Sequence, residues 1–277
     1  MPEVFKRIDN RACNELRKVR FTSRYQSHPL SSVLVEMGGT RVICSVTLEH
    51  KVPSWMRNQK LSGGWLTAEY GMLPGATGER FGREAASGKQ GGRTVEIQRL
   101  IGRSLRAVMD LSLLDGYTIT IDCDVIDADG GTRCASITGA AAALALAMRS
   151  GKVRKITNDV NPMKELVAAV SVGMTGEHTI LDLNYAEDST AGVDMNVVMT
   201  ESGKMIEIQG TAEHRNFSRR ELNSMLDLAE SGLNKLFEFQ RRMLDPKPQH
   251  NHAKRLTGDI GSLGSVFENI TLEENNG

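Results

Sequence analysis

Two short segments of the chain combine glycines with a threonine and an arginine in a pattern suited to binding an anion. Residues 91–94 have the sequence Gly-Gly-Arg-Thr, and residues 130–133 have the sequence Gly-Gly-Thr-Arg. Each segment precedes a stretch of helical periodicity, so its backbone N–H groups would lie at a helix N-terminus. Glycines let the backbone approach an anion closely, and an arginine adds a two-pronged donor. The pair of segments predicts a phosphate site, although glycines that only turn the chain would explain either segment alone.

Carboxylates occur farther along the chain, between two predicted strands. Glu187 and Asp188 come first, and Asp194 follows the polar stretch at residues 189–192. Carboxylates at strand ends can hold Mg²⁺ through one or two ligands, and they can exchange a proton with a departing oxygen. The alternative is a loop of ordinary solvated acids. The histidines and cysteines do not have the spacing of a zinc site, so metal binding by them is not expected.

Charge is unevenly distributed along the chain although the total is balanced. Lys plus Arg and Asp plus Glu both number 34, which excludes a polycation that binds nucleic acid by its bulk charge. Residues 80–106 nevertheless contain seven basic side chains against two acids, and residues 182–213 contain seven acids against one lysine. Metal-assisted phosphoryl transfer needs both cations and carboxylates, so the two regions together could form such a site.

The same composition predicts a soluble, cytoplasmic protein. Hydrophobic residues make up 40% of the chain, which is enough for a sizeable core, and the four cysteines are widely separated. The longest uncharged apolar stretch, residues 134–148, is too short and too rich in Ala, Ser, Thr and Gly to cross a bilayer. The N-terminal residues lack the apolar core of a signal peptide.

Hydrophobic periodicity predicts the elements that would position the candidate residues. Two-residue alternation on both sides of a Gly-Gly-Thr turn predicts a hairpin over residues 33–48. Residues 53–92 show no sustained period and are predicted to form a functional loop. Helical spacing then predicts helices over residues 94–110 and 135–150, separated by a strand over residues 117–125.

The second half of the chain repeats this style of structure. Four strands are expected in two pairs, over residues 167–174, 179–185, 194–200 and 205–211. Ser218 and Glu221 form a capping box that predicts the start of a helix. Residues 245–277 turn to Pro, Asn, His, Gly and Glu and are predicted to form a mobile tail. The order of elements predicts an α+β protein in which mixed sheets are covered by helices.

Four longer motifs occur in order along the chain. They are WLTAEYGMLP at residues 65–74, GKQGGRTVEIQR at residues 88–99, the stretch from DCDV to DGGTR at residues 122–133, and DMNVVMT at residues 194–200. Together they resemble the motifs of bacterial ribonuclease PH, a family of phosphate-dependent exoribonucleases, and the similarity extends from about residue 11 to residue 241. The resemblance implies a single compact catalytic domain of two similar strand–helix halves over residues 1–244.

The resemblance also implies an activity and an assembly. Members of this family trim nucleotides beyond the CCA end of precursor tRNA and act on other RNA 3′ ends. Inorganic phosphate is the attacking co-substrate, nucleoside diphosphates are released, and the reaction reverses as nucleotide addition. The expected assembly is a homohexameric ring, a trimer of dimers. The site residues implied are Arg93, Gly131, Thr132 and Arg133 for phosphate, and Asp188 and Asp194 for catalysis and for Mg²⁺.

One departure from the family concerns the loop that holds tRNA. The family has three basic residues there, and Arg80 and Arg83 match two of them, but the position directly after Pro74 is Gly75. We expect weaker tRNA binding and unchanged chemistry, because each lost phosphate contact weakens affinity. Two alternatives to phosphorolysis are a catalytically silent RNA-binding ring subunit and a Mg²⁺-dependent hydrolase that uses water.

Overall fold

The structure is a computed structural model of the 277-residue chain, and it describes residues 5–245. The first half consists of a five-stranded sheet with its helices. Its strands are β1 (Val19–Ser23), β2 (Ser31–Met37), β3 (Thr40–Glu49), β4 (Trp65–Met72) and β5 (Thr118–Asp127). Its helices are α1 (Ser54–Asn58), α2 (Glu84–Ser87), α3 (Gly92–Arg106), α4 (Thr132–Met148) and α5 (Gly151–Ile156), with a 3₁₀ turn at Leu111–Leu114. The strand order is β1-β2-β3-β5-β4, and only the β4–β5 pair is parallel.

The second half is built in the same way around a four-stranded sheet. Its strands are β6 (Val167–Thr175), β7 (His178–Leu181), β8 (Val193–Thr200) and β9 (Met205–Ala212). Its helices are α6 (Tyr185–Asp188) and α7 (Arg219–Leu244). All neighbours in the order β7-β6-β8-β9 are antiparallel. The architecture is therefore α+β with a sheet and covering helices in each half, as the order of elements predicts.

Helix α4 joins the two halves because it packs on β2 and β3 from one sheet and on β6 from the other. It is buried on nearly every side, and most of its residues are alanine or another small residue. Small side chains allow close approach: a Cβ added at Gly139 would lie 2.5 Å from Cγ1 of Val35. One continuous apolar core therefore runs through both sheets, and α4 brings its N-terminus to the junction between them.

Several predictions from periodicity are confirmed. The hairpin over residues 33–48 is β2 and β3, with Met37 paired to Thr40 across the turn. Both helices that follow a glycine segment are present as α3 and α4. The capping box is formed, because the Ser218 hydroxyl accepts from the Glu221 N–H and the Glu221 carboxylate accepts from the Ser218 N–H.

Two predictions need correction. Residues 53–92 are not one loop, since they contain β4 and two short helices. The alternation of β4 is hidden because its buried side includes a small residue, Ala68, between Leu66 and Tyr70. The strand predicted over residues 179–185 ends at Leu181, and the chain then enters α6. Asp182 has a left-handed φ of 53°, which ends the strand.

The predicted tail over residues 245–277 lies outside the described residues except for Asp245, which is the C-cap of α7. Within residues 5–245, no helix has both the length and the apolar character needed to cross a membrane.

Candidate active site

A cavity of about 540 Å³ lies where the two halves meet. It is lined by α3 and the start of α4 from the first half, and by β6, α6, β8 and β9 from the second. All six residues predicted for phosphate binding and catalysis line it: Arg93, Gly131, Thr132, Arg133, Asp188 and Asp194. Cations from the first half therefore face carboxylates from the second, as the uneven distribution of charge along the sequence suggests.

The start of α4 forms the floor of the cavity. Gly130 and Gly131 have left-handed φ values of 72° and 64°, and a Cβ at Gly130 would lie only 2.7 Å from the carbonyl carbon of Asn184. The chain therefore needs glycine at this turn. Gly131 is the N-cap and has no side chain to bind the first N–H groups of α4, so these donors are left for an anion. The Thr132 hydroxyl is held by the Tyr70 hydroxyl at 3.0 Å.

The start of α3 is tied to the preceding short helix by a carboxylate. The Glu84 carboxylate accepts hydrogen bonds from the Gly91 N–H at 2.9 Å and from the Thr94 hydroxyl at 2.7 Å. These contacts tie α2 to the start of α3, whose first N–H groups have no side-chain cap within residues 5–245. Of the first glycine segment, Arg93 lines the cavity, and Gly91 and Gly92 are not part of its lining. Arg93 is exposed and has no salt bridge within residues 5–245.

Arg133 is held at the other wall of the cavity. Its guanidinium donates to Oε1 of Gln209 at 2.9 Å and lies 3.7 Å from Oε1 of Glu96. These contacts cross from α4 to β9 and α3, and they leave Arg133 half-buried. A guanidinium fixed in this way can present its remaining N–H donors to an oxyanion with little loss of side-chain entropy.

Asp188 and Asp194 are both desolvated, and their environments disfavour ionisation. Burial raises the pKa of Asp188, while Arg133 and Arg93 oppose this rise. Burial together with the charge of Asp188 raises the pKa of Asp194 to about 6. Two interacting carboxylates with raised pKa values can share a proton near neutral pH. The pair therefore has the properties of a general acid or base as well as those of a cation ligand.

Oδ1 of Asp194 is buried and has no hydrogen-bond partner within residues 5–245. A desolvated, unpaired carboxylate oxygen is unfavourable unless a cation or donor binds it. No group of three or more His, Cys, Asp or Glu side chains in the described residues is arranged to hold a metal. Mg²⁺ is usually held by one or two carboxylates, with water and substrate phosphate completing the octahedron. Asp188 and Asp194 therefore fit Mg²⁺ and do not fit an all-protein cage.

Glu187 does not belong to the site, although the sequence places it beside Asp188. Its carboxylate is buried in a two-pronged pair with Arg7, at 2.7 and 2.6 Å, and Arg11 adds a contact at 3.3 Å. Asn184 and Glu187 also form a capping box at the start of α6. Glu187 therefore anchors the helix that carries Asp188 and does not face the cavity.

Arg80 and Arg83, predicted to hold tRNA, lie outside the lining of this cavity. Both are exposed on the loop between β4 and α3, and Arg83 lines a neighbouring cavity of about 460 Å³ together with Lys89. Their placement on the surface beside the site is compatible with contacts to RNA phosphates away from the reacting bond.

Some lining residues were not identified from the sequence. Asn196, Gln209, Glu213 and His214 all line the cavity. Asn196 follows Asp194 by two residues on β8, so strand periodicity places both side chains on one face and could have identified it. Gln209 reaches the site because β9 pairs it with Asn196, and this register is a tertiary property.

Comparisons with known proteins agree with this fold. Domain 1 of the 3′ exoribonuclease family (RNase PH) matches residues 15–150, and domain 2 of that family matches residues 165–232. The boundary between the two matches coincides with the passage from the first sheet to the second.

Three similar solved structures cover most of the chain. Rice (Oryza sativa) Rrp46 has a TM-score of 0.69 at 19% identity and covers 86% of this chain and 100% of its own. The Archaeoglobus fulgidus exosome with RNA bound to the active site has a TM-score of 0.69 at 22% identity. This match covers 84% of the present chain and 92% of the exosome chain. An archaeal exosome core has a TM-score of 0.67 at 20% identity, and the match covers 85% of the present chain and 91% of the exosome chain. These structures share the fold, and the two family matches assign the chain to the 3′ exoribonuclease family.

Proposed function

We propose that this protein is a phosphorolytic 3′-to-5′ exoribonuclease of the bacterial ribonuclease PH type. One observation carries the proposal. In a single cavity, the uncapped N-terminus of α4 and the side chains of Arg93 and Arg133 face the carboxylates of Asp188 and Asp194. A hydrolase needs no cradle for a second anion, because its nucleophile is neutral water. A phosphorolytic enzyme must bring phosphate against a polyanion, and this requires cations and N–H donors to offset the repulsion.

In the proposed reaction, an oxygen of inorganic phosphate attacks the phosphorus of the last phosphodiester. The bond from that phosphorus to the 3′ oxygen of the preceding nucleotide breaks, and that oxygen takes a proton. The products are a nucleoside diphosphate and an RNA one nucleotide shorter, and the reverse reaction adds a nucleotide. Arg93, Arg133 and the N-terminus of α4, which includes Gly131 and Thr132, hold the phosphate. Positioning and charge stabilisation can supply most of the rate in such transfers.

The carboxylate pair has two roles in this proposal. Asp188 and Asp194 would hold Mg²⁺, which when bound supplies positive charge to the phosphate oxygens around the reacting phosphorus. Whichever of the two acids does not ligate the metal could deliver the proton to the departing 3′ oxygen, because burial raises the pKa of both side chains.

The proposed substrates are tRNA precursors extended beyond the CCA end, together with other RNA 3′ ends. Arg80 and Arg83 lie on the exposed loop beside the cavity, where they could hold the phosphates of a tRNA body. A homohexameric ring in the cytoplasm, arranged as a trimer of dimers, is proposed from the family resemblance.

A silent RNA-binding ring subunit is the second candidate. The similar solved structures include exosome assemblies, so the fold itself is compatible with a role in a larger ring. The presence of both arginines, the Gly-Gly-Thr segment and both aspartates favours the active enzyme, because a subunit that only binds RNA does not need a phosphate cradle facing acids.

The test is a product assay on precursor tRNA with a labelled 3′ extension, in Mg²⁺, with and without phosphate. Nucleoside diphosphates that appear only with phosphate support phosphorolysis. Monophosphates without a phosphate requirement would indicate a hydrolase, and bound but uncut RNA would favour the silent subunit. Arg93→Ala should abolish phosphate-dependent release, and full activity in both Asp188→Asn and Asp194→Asn would contradict the carboxylate roles.

A further inference from the structure

A buried tyrosine on strand β4 supports the start of α4 from behind the cavity. Tyr70 lies on the inner side of β4 with Leu66 and Ala68 and is only 5% exposed. Its hydroxyl donates a hydrogen bond to Oγ1 of Thr132 at 3.0 Å, and within residues 5–245 neither hydroxyl group has another partner. Thr132 lines the cavity and Tyr70 does not. Tyr70 therefore acts on the cavity through Thr132.

The direction of this hydrogen bond follows from the chemistry of the two hydroxyl groups. A phenol is more acidic than an aliphatic alcohol, so it is the better donor and the weaker acceptor of the two. Burial raises the pKa of Tyr70, so the phenol keeps its proton at neutral pH. A threonine hydroxyl has one proton and two lone pairs. Because Tyr70 engages one lone pair of Thr132, the Thr132 proton is left for a ligand in the cavity.

The other glycine segment has the same four residue types and the opposite arrangement. The Thr94 hydroxyl donates to the Glu84 carboxylate at 2.7 Å, so its proton is already used within the protein. Thr94 is not part of the cavity lining. Of the two threonines, only Thr132 receives a proton from its partner and keeps its own. The contrast shows that the partner decides what each threonine can offer.

The other groups at this end of the cavity are also donors. The first N–H groups of α4 have no side-chain cap, and the guanidinium groups of Arg93 and Arg133 line the same cavity. The acceptors, Asp188 and Asp194, lie on the part of the lining that comes from the second half of the chain. A wall made only of donors favours an anion that presents unprotonated oxygens to it. The polarity of the Thr132 hydroxyl decides whether this wall is complete.

We propose that Tyr70 is a positioning residue that fixes the Thr132 hydroxyl as a donor, so that this wall takes an unprotonated oxygen of the attacking phosphate. The inference rests on the proposed function, in which phosphate is the anion held at the start of α4. Tyr70 does not touch the phosphate, and its effect is to orient one proton before the anion arrives. Doubly charged phosphate must then turn its remaining P–OH group away from this wall, toward the carboxylates.

Equilibrium binding of two tetrahedral anions to the full chain tests this role without catalysis. The probes are inorganic phosphate and sulfate at constant ionic strength, and sulfate at neutral pH has no proton to donate. Tyr70→Phe should weaken both anions about fivefold, the size expected for one neutral hydrogen bond. Thr132→Val should weaken both anions at least as much, and adding Tyr70→Phe to it should cause no further loss. Tyr117→Phe, which alters a half-buried tyrosine packed on His50, is the control and should match the unaltered protein.

Kinetics and unfolding add two readouts that separate positioning from general damage. Tyr70→Phe should raise the KM for phosphate about fivefold and leave kcat at saturating phosphate nearly unchanged. In urea, Thr132→Val should be less stable than the double variant, because valine leaves the Tyr70 hydroxyl buried without a partner. A loss of kcat without a change in KM would show that Tyr70 only supports packing.

Three binding results would overturn the role of Tyr70. They are unchanged anion binding in Tyr70→Phe, a further loss when Tyr70→Phe is added to Thr132→Val, and a Thr132→Val variant that binds phosphate weakly and sulfate normally. The last result would show that Thr132 accepts a proton from phosphate. The product assay separates this inference from the proposed function. Phosphate-dependent release of nucleoside diphosphates with anion binding indifferent to Tyr70 removes only the positioning role, whereas Tyr70-dependent anion binding without release removes phosphorolysis and keeps that role.

Discussion

Asn196 donates a hydrogen bond from Nδ2 to Oδ2 of Asp194 at 3.5 Å, while Oδ1 of Asp194 has no partner in the part of the chain that the structure describes. The amide of Asn196 is itself oriented, because its carbonyl oxygen accepts from the thiol of Cys134 at 3.1 Å. Burial raises the pKa of that thiol, so it stays protonated and acts as a donor. A chain of two hydrogen bonds therefore links Cys134 on α4 through Asn196 to Asp194 on β8 and helps to orient the Asp194 carboxylate.

Loss of the thiol donor should reduce turnover. Cys134→Ala should lower kcat roughly tenfold, the lower end of what removal of a supporting hydrogen bond near a metal ligand costs. Cys134→Ser should retain most of kcat, because a hydroxyl can donate in place of the thiol. The KM for phosphate should stay unchanged in both variants, as neither alters the phosphate-binding arginines. Equal losses in the serine and alanine variants would show that packing matters here and donation does not.

Glu84 should control phosphate affinity although it does not line the main cavity. Its carboxylate accepts from the Gly91 N–H and the Thr94 hydroxyl, which lie on either side of Arg93 in the sequence. Glu84→Ala should destabilise the protein by about 1 kcal/mol, as loss of a hydrogen-bonded side chain does, and should raise the KM for phosphate by several-fold. Glu84→Gln keeps an acceptor oxygen, so its stability and its KM for phosphate should lie closer to those of the unaltered protein. Steady-state kinetics with varied phosphate would measure this, and an unchanged KM in Glu84→Ala would contradict it.

The buried pair of Arg7 and Glu187 should matter for stability. Arg7→Met leaves the Glu187 carboxylate without its main partner, and breaking such a pair costs roughly 3–5 kcal/mol. Arg11 remains near Glu187, so we expect a loss of unfolding free energy at the lower end of this range. Adding Glu187→Gln to Arg7→Met should recover part of the loss, because the uncompensated charge is removed. Urea unfolding would measure all three variants, and simple additivity of the two single changes would contradict a coupled pair.

The pKa of Asp194 predicts how stability depends on pH in the absence of divalent metal. The pKa of Asp194 in the folded protein is about 6, above the usual 3.8. The contribution of the protonated carboxyl to the free energy of unfolding is therefore complete below pH 3.8, and it is lost as the pH rises through about 6. At pH 8 Asp194→Asn should therefore be more stable than the unaltered protein, by at most about 3 kcal/mol. The difference should shrink as the pH falls toward 4. Unfolding in chelator at several pH values checks this, and a constant difference would contradict it.

Gly75→Arg should strengthen tRNA binding. Gly75 is exposed, and a Cβ added there meets nothing within 4 Å, so the fold should tolerate the change. One additional phosphate contact should raise affinity and make the slope of log K against log salt more negative by about one. Titrations of precursor tRNA at several salt concentrations would measure both, with Gly78→Arg as a matched control on the same loop. Identical slopes for Gly75→Arg and the unaltered protein would contradict the prediction.

Sequence alone determined the strongly patterned elements and the two ends of the site. The hairpin of β2 and β3, helices α3 and α4, and the capping box of α7 follow from local periodicity and capping chemistry, which act between near neighbours. The ordered motifs also contain five of the predicted residues that meet in the cavity: Arg93, Gly131, Thr132, Arg133 and Asp194. Periodicity does not predict strand β4, because the small residue Ala68 on its buried side weakens the alternation of apolar and polar residues.

Only the tertiary structure decided what each polar residue does at the site. Glu187 and Asp188 are adjacent in sequence, yet Arg7 holds one in the interior while the other lines the cavity. Likewise, the two glycine–arginine segments are locally similar, but the threonine of one is held by Glu84 and the threonine of the other by Tyr70. These differences depend on partners 10 to 180 positions away in the chain. Burial and pairing between such distant residues set the charge and direction of a side chain, and local sequence patterns carry no information about them.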